Sequence, residues 1–136
     1  MKAAINTVLL AMLFMAVVGC KTIDPDADLL VVRVEQTQKI ALATFDTFLR
    51  FDDGRREWMR EQAPEAHAFA EWLREPQGVT QIPRGVAILE SLQAVKVAYK
   101  KARDQTGRDR LIAALAAVEE ALYQTQKQLI SAGGAK

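Results

Sequence analysis

Apolar and polar residues alternate along most of the chain with the three- and four-residue spacing of amphipathic helices. The first such pattern follows Asp28, whose side chain is suited to cap a helix, and we predict one long, bent helix over residues 28–62. Gly54 falls inside this pattern, and a glycine within a helix costs about 1 kcal/mol relative to alanine. A break near residue 53 is therefore the alternative.

Pro64 marks the next boundary, because the residue before a proline avoids the helical region whereas proline itself suits a first helical turn. A short helix is predicted after it, with one apolar face formed by Ala66, Phe69, Ala70 and Leu73. Residues 76–83 hold two prolines and a glycine, so they are predicted to form a loop. No stretch of the sequence shows the convincing alternation of a strand.

Pro83 begins a third helical pattern, whose apolar face consists of Ile88, Leu92, Val95, Tyr99 and Ala102. The charged residues of this segment, Lys96 among them, fall mostly off that face and are expected in solvent. Thr106 and Asp109 then resemble a capping box, which would start the last helix.

The last helix has the clearest pattern. Its seam steps by four and three residues in turn and consists of Leu111, Leu115, Val118, Leu122, Thr125 and Leu129. A neighbouring face carries Ala113, Ala117 and Ala121, which would let another helix approach closely. Gly133 and Gly134 are predicted to end the helix.

Together these elements predict an all-α fold, a small antiparallel helical bundle of three main helices and one short helix. The last two helices are joined by a short turn and should be antiparallel neighbours. The first helix would pack across them.

The first twenty residues have a different character. Lys2 gives a positive start, residues 8–18 are wholly apolar, and Gly19 precedes Cys20, the only cysteine of the chain. This is the anatomy of a secretory signal peptide. An uncleaved membrane-spanning helix is one alternative, although spanning takes about 20 apolar residues. Simple cleavage that leaves Cys20 a free thiol is the other.

The residues Val17-Val18-Gly19-Cys20 resemble the lipobox of bacterial lipoproteins, in which the cysteine is acylated and becomes the first mature residue. The resemblance covers only the signal. It implies attachment to a membrane of the bacterial envelope through lipid on Cys20. Lysine rather than aspartate at position 21 is compatible with the outer membrane, on the face toward the periplasm. The predicted division is a cleaved signal peptide (1–19), the lipidated cysteine and tether (20–27), the helical domain (28–132) and a flexible tail (133–136).

The composition limits the remaining possibilities. The whole chain has 18 basic and 17 acidic residues, and loss of the signal peptide would leave 17 of each. This balance predicts no nucleic-acid partner. With Cys20 modified, no thiol remains for a disulfide, a metal site or a nucleophile. The seven residues of the tether, 21–27, reach at most about 25 Å, so the folded part should stay close to the bilayer.

Candidate chemistry is sparse. His67, the only histidine, stands four residues before Glu71, which offers two potential metal ligands but no known zinc motif. Asp52, Asp53 and Glu57 form a carboxylate cluster of the kind that glycosidases use, although arginines surround it. We expect no catalytic residue, no metal and no cofactor.

Four aromatic residues cluster around Pro64 and form the candidate binding groove: Phe51, Trp58, Phe69 and Trp72. They would line a surface for a partner or simply form the core where a short helix docks. The favoured function is accordingly a non-enzymatic envelope module that binds a protein partner or assists an envelope assembly.

Two other functions remain open. A structural lipoprotein would self-associate as a homo-oligomer through Leu111, Leu115, Val118, Leu122 and Leu129. It would alternatively be joined to peptidoglycan through Lys136, since the major murein lipoproteins also end in lysine. A cell-wall glycan hydrolase that uses the carboxylate cluster is the third possibility.

Overall fold

The computed structural model describes residues 28–134. The predicted signal peptide, Cys20, the tether and Lys136 lie outside the described residues. Five helices follow one another in the described part: α1 (Leu29–Gly54), α2 (Arg56–Gln62), α3 (Pro64–Arg74), α4 (Arg84–Ala102) and α5 (Gln105–Gly134). The all-α bundle predicted from the sequence is confirmed.

Helix α1 begins as predicted, because Oδ1 of Asp28 accepts a hydrogen bond from the Leu30 backbone N–H at 2.9 Å. Its buried face consists of Val31, Val34, Thr37, Ala41, Thr44, Phe45, Phe48 and Asp52. The preferred prediction of a continuous helix to residue 62 is wrong, and the alternative break is correct. The backbone of Arg55 leaves the helical region at φ −140°, and its N–H donates to the Asp52 carbonyl at 3.1 Å.

The break adds a second short helix to the one that was predicted. Helix α2 buries Met59 completely. Pro64 is the first residue of α3, as expected. The face of α3 that packs inward contains Ala66, Ala70 and Leu73.

The predicted loop contains a minimal hairpin. Strand β1 (Pro76–Gln77) pairs with β2 (Ile82–Pro83) in antiparallel register, so the expectation of no strand is corrected for this segment. The chain reverses through Gly78 and Gln81, which have positive φ angles of 68° and 55°. Such a conformation suits glycine and is uncommon for other residues.

Helix α4 is held close to the helices beside it at its first turn. A Cβ atom on Gly85 would lie 3.4 Å from a side-chain carbon of Leu73 and 3.7 Å from one of Phe45. The expectation that Lys96 is solvated is wrong, since its side chain is 11% exposed. Its Nζ donates to Oε1 of Gln38 at 3.0 Å, so the methylene stem is buried while the charge has a polar partner.

The turn between α4 and α5 is built differently from the predicted capping box. Arg103 adopts the left-handed conformation with φ 52°, which closes α4. Oδ1 of Asp104 accepts from the Gly107 N–H at 2.7 Å, the contact of an N-cap. Asp104 therefore takes the capping role that was assigned to Thr106.

Helix α5 packs against both α4 and α1. Its seam faces the interior, where Leu111, Leu115, Val118, Thr125 and Leu129 are buried and Leu122 is half-buried. A homo-oligomer through these residues would require the bundle to open. On the neighbouring face, Ala121 is buried, whereas Ala113 and Ala117 are exposed. Among the described residues no helix is both long and apolar enough to cross a membrane.

Candidate functional site

A buried carboxylate lies where α1, α2 and α3 meet. Asp52 is 0% exposed, and its two oxygens accept hydrogen bonds from Nδ1 of His67 at 2.8 Å and Nη1 of Arg74 at 2.6 Å. Burial of a carboxylate is costly unless it is paired, and the end of a helix already carries partial negative charge. Asp52 therefore depends on these two partners from α3.

Arg74 is the centre of this network. Besides Asp52, its guanidinium donates to Oε1 of Glu71 at 2.8 Å, to Oδ1 of Asp53 at 2.8 Å and to the Leu49 carbonyl at 3.1 Å. Burial alone would lower the pKa of Arg74, but the hydrogen bond and negative charge of Asp52 outweigh it and raise that pKa. The side chain is thus a permanent cation that joins α3 to the end of α1.

His67 is enclosed by charged neighbours. Its side chain is 13% exposed, with Nδ1 on Asp52 and Nε2 at 3.5 Å from Nε of Arg60. A carboxylate on one ring nitrogen can orient a histidine as a general base. Here the other nitrogen faces an arginine, and among the described residues neither hydrogen-bond partner of His67 is a hydroxyl or thiol that it could deprotonate. The arrangement is that of a fixed structural histidine.

Three potential metal ligands come together in this network. Asp52, His67 and Glu71 each offer an atom, and these atoms lie within 4.8 Å of one another. However, the guanidinium of Arg74 already bridges Asp52 and Glu71, and a metal would have to displace it or share their charge with it. The donor set fits an internal salt bridge better than a metal centre.

The carboxylate cluster does not form an open acid–base pair. Asp52 is enclosed, whereas Asp53 is exposed and bound to Arg74. Glu57 is exposed on α2. A glycosidase needs two carboxyl groups that face a common substrate space, and the oxygens of Asp52 face His67 and Arg74 instead.

The four predicted aromatic residues divide into two groups. Phe69 stacks on Trp72 with ring centroids 5.3 Å apart and an interplanar angle of 18°. The buried ring of Phe48, absent from the predicted groove, lies 6.0 Å from Phe69. Phe51 and Trp58 are half-buried against the core, and in the described part of the chain no ring contact joins them to this pair.

An open groove of about 500 Å³ lies beside Trp72, lined by Ala68, Glu71, Trp72, Arg74, Glu75 and Pro76. The indole is 38% exposed, and Cζ of Arg84 lies 4.6 Å from its ring centroid. Arg84 is also paired with Glu75 at 2.9 Å. The groove thus combines a partly exposed indole with paired charges at its rim, and we call it the Trp72 groove.

The sequence reasoning missed the two arginines of this region. A signal for Arg74 was available, since His67, Glu71 and Arg74 follow i, i+4, i+7 spacing and so share one face of α3. Arg84 had no such signal, because the β1–β2 hairpin brings it back to α3 from a distance in sequence. Its position over Trp72 depends on tertiary structure.

No family model, curated protein or solved structure matches the chain.

Proposed function

We propose that the chain is a lipid-anchored, non-enzymatic helical module of the bacterial envelope, which holds a segment of a protein partner in the Trp72 groove. The observation that carries this proposal is the exposed indole of Trp72 at the wall of an open groove. Large aromatic side chains that are rigidly held and partly exposed are frequent anchors of protein interfaces.

The lipid anchor is supported by the sequence around Cys20 and by its being the only cysteine. An acylated Cys20 would hold the module at the membrane surface, in the outer membrane facing the periplasm. Two or more acyl chains give durable attachment, whereas one gives only marginal binding.

A non-enzymatic role is supported by the way in which the polar groups of the α1–α3 junction are used. Asp52 binds both His67 and Arg74, so the hydrogen-bonding capacity of its carboxylate goes to holding the fold. The same contacts keep α3, and with it Trp72, in a fixed position against α1.

The chemistry of the Trp72 groove suits a segment that presents an apolar side chain to the exposed part of the indole. Phe69 supports the indole by stacking, so the ring is held in place before a partner binds. Arg84 already lies over the ring, with Cζ 4.6 Å from its centroid, so a partner would contact the part of the indole that Arg84 and Phe69 leave exposed. Glu71 is paired with Arg56 and Arg74, and Glu75 with Arg84, so the rim surrounds the indole with charges that are already neutralised.

A photo-crosslinking residue placed at Ala68, inside the groove, tests the proposal in the native envelope. The matched control is the same residue at Ala117, which is exposed on α5. We expect a discrete adduct with another protein from position 68 only, and its loss when Trp72→Ala is added. Equal adducts from both positions, or an adduct of twice the mass of this chain, would contradict the proposal.

The anchor is tested separately. Labelled palmitate should be incorporated into the wild-type chain and not into Cys20→Ser. Absence of the label from the wild type would refute the lipid anchor and leave the groove experiment unaffected.

A further inference from the structure

The start of α1 is fastened to the turn between α4 and α5. Oη of Tyr99 donates to Oδ2 of Asp28 at 2.6 Å, and Nη1 of Arg103 donates to the same oxygen at 2.9 Å. Nη1 of Arg108 lies 4.0 Å from the other oxygen. Since Asp28 directly follows residue 27 of the predicted tether, the chain enters the bundle at this turn.

This end of the bundle is positively charged. Residues 100–110 contain five basic side chains and two acidic ones, and Asp28 adds a third carboxylate, so this end has two more basic than acidic groups, whereas the described chain as a whole has 15 of each. The five are Lys100, Lys101, Arg103, Arg108 and Arg110. Lys100, Lys101 and Arg110 are exposed, and the side chains of Arg103 and Arg108 are 50% and 44% exposed. We call this surface the basic end.

The acidic residues nearby are already engaged within the turn. Asp104 caps α5 through the Gly107 N–H, and Asp109 accepts a hydrogen bond from Gln105 at 2.8 Å. Within residues 28–134, no carboxylate lies at ion-pair distance from the side chains of Lys100, Lys101 or Arg110. Three of the five cations of the basic end, Lys100, Lys101 and Arg110, are therefore not used by the fold, whereas Arg103 and Arg108 face Asp28.

We propose that the basic end rests on the anionic headgroups of membrane phospholipids. This inference rests on the proposed lipid anchor, because a tether of at most about 25 Å starts at the same end. Phosphate groups pair with lysine and arginine, and a basic surface beside an acyl chain is a second attachment signal. Leu29, which is 69% exposed next to Asp28, adds an apolar side chain at the same place.

The test uses the mature chain, residues 20–136, made without lipid. All residues of the buried core, from Val31 to Ala132, are retained in it. Its sedimentation is measured with vesicles of phosphatidylcholine alone and of phosphatidylcholine mixed with phosphatidylglycerol. We expect binding to the mixed vesicles only, and its loss at high ionic strength.

A matched pair of variants locates the binding surface. Lys100→Gln/Lys101→Gln should weaken binding to the mixed vesicles by about tenfold or more. The control variant Lys39→Gln/Lys127→Gln removes the same charge from exposed positions on α1 and α5, outside the basic end. It should change binding less than about threefold, because salt screens charges that lie far from the bound surface. Equal binding to both kinds of vesicle, or equal losses in the two variants, would overturn the inference. Because no lipid is attached to Cys20 here, either result is independent of the palmitate experiment.

Discussion

Replacing Arg74 with methionine tests whether the buried network at the α1–α3 junction holds the fold together. Methionine keeps much of the side-chain stem but removes the charge and all four hydrogen bonds of the guanidinium. Asp52 remains fully buried, with His67 as its only other side-chain partner among the described residues.

The expected loss follows from these contacts. Removal of one partner of a buried ion pair costs about 3–5 kcal/mol. Because the Arg74 side chain is 23% exposed and His67 stays in place, the low end applies, and we expect about 3 kcal/mol. This is a large part of the roughly 5–15 kcal/mol that stabilises an ordinary domain. The melting temperature should fall by roughly 10–20 °C.

Urea unfolding followed by far-ultraviolet circular dichroism measures the effect. The control is Arg56→Met, which removes a contact to the same Glu71 from a side chain that is 45% exposed. That exposed pair should contribute less than about 1 kcal/mol. The double variant Asp52→Asn/Arg74→Met should be less destabilised than the sum of its single variants, since no unpaired charge is left. Coincident unfolding curves for Arg74→Met and Arg56→Met would refute the reasoning.

Three further changes test other contacts of the bundle. The hydrogen bond from Tyr99 lowers the pKa of Asp28 from its ordinary 3.8, so this contact stabilises the fold above that pH, and the stabilisation is lost as the pH falls through the lowered pKa. The difference in unfolding free energy between Tyr99→Phe and wild type should therefore shrink in acid. A difference that does not depend on pH would contradict this. Asp104→Ala should cost about 1 kcal/mol in urea unfolding and Thr106→Ala much less, and the reverse order would restore Thr106 as the cap. Leu115→Ala should cost roughly 2–5 kcal/mol by the same measurement, and a loss below about 1 kcal/mol would place its side chain outside the core.

Local pattern was enough to predict the helical class and most helix boundaries. Pro64 and Asp28 set helix ends through their own backbone and side-chain chemistry, so both ends could be predicted from the sequence. The seam of α5 was also readable, because one face of a helix repeats at fixed spacing. The helix against which this seam packs could not be predicted, because the same pattern suits a helix of this chain or of another copy.

Two errors, at Lys96 and at Arg74, arose because each side chain binds a partner that is far away in sequence. Lys96 is charged and looked solvated, yet Gln38 on α1 receives its ammonium group, 58 residues away. In the sequence Asp52 looks like one of several surface carboxylates, and only the packing of α3 against α1 buries it. The fixed anchor of the candidate site, Arg74, was missed for the same reason, although its spacing from His67 offered a clue.

The two proposed surfaces lie at opposite ends of α1, so membrane attachment and partner binding can be tested independently. Asp28 and Asp52 are 24 residues apart along α1, so the end at Asp28 lies roughly 36 Å from the junction at Asp52, next to α3 and Trp72. A module held at the membrane through its Asp28 end would present the Trp72 groove away from the headgroups. Cys20→Ser should therefore lower the crosslinking yield at Ala68 in cells by reducing the local concentration of the module, without changing the affinity of the purified domain for the crosslinked partner. Trp72→Ala should reduce that affinity and leave membrane attachment intact. If loss of the lipid weakened the purified interaction as much as loss of the indole, the groove and the anchored end would form one surface, and the proposed division of roles would be wrong.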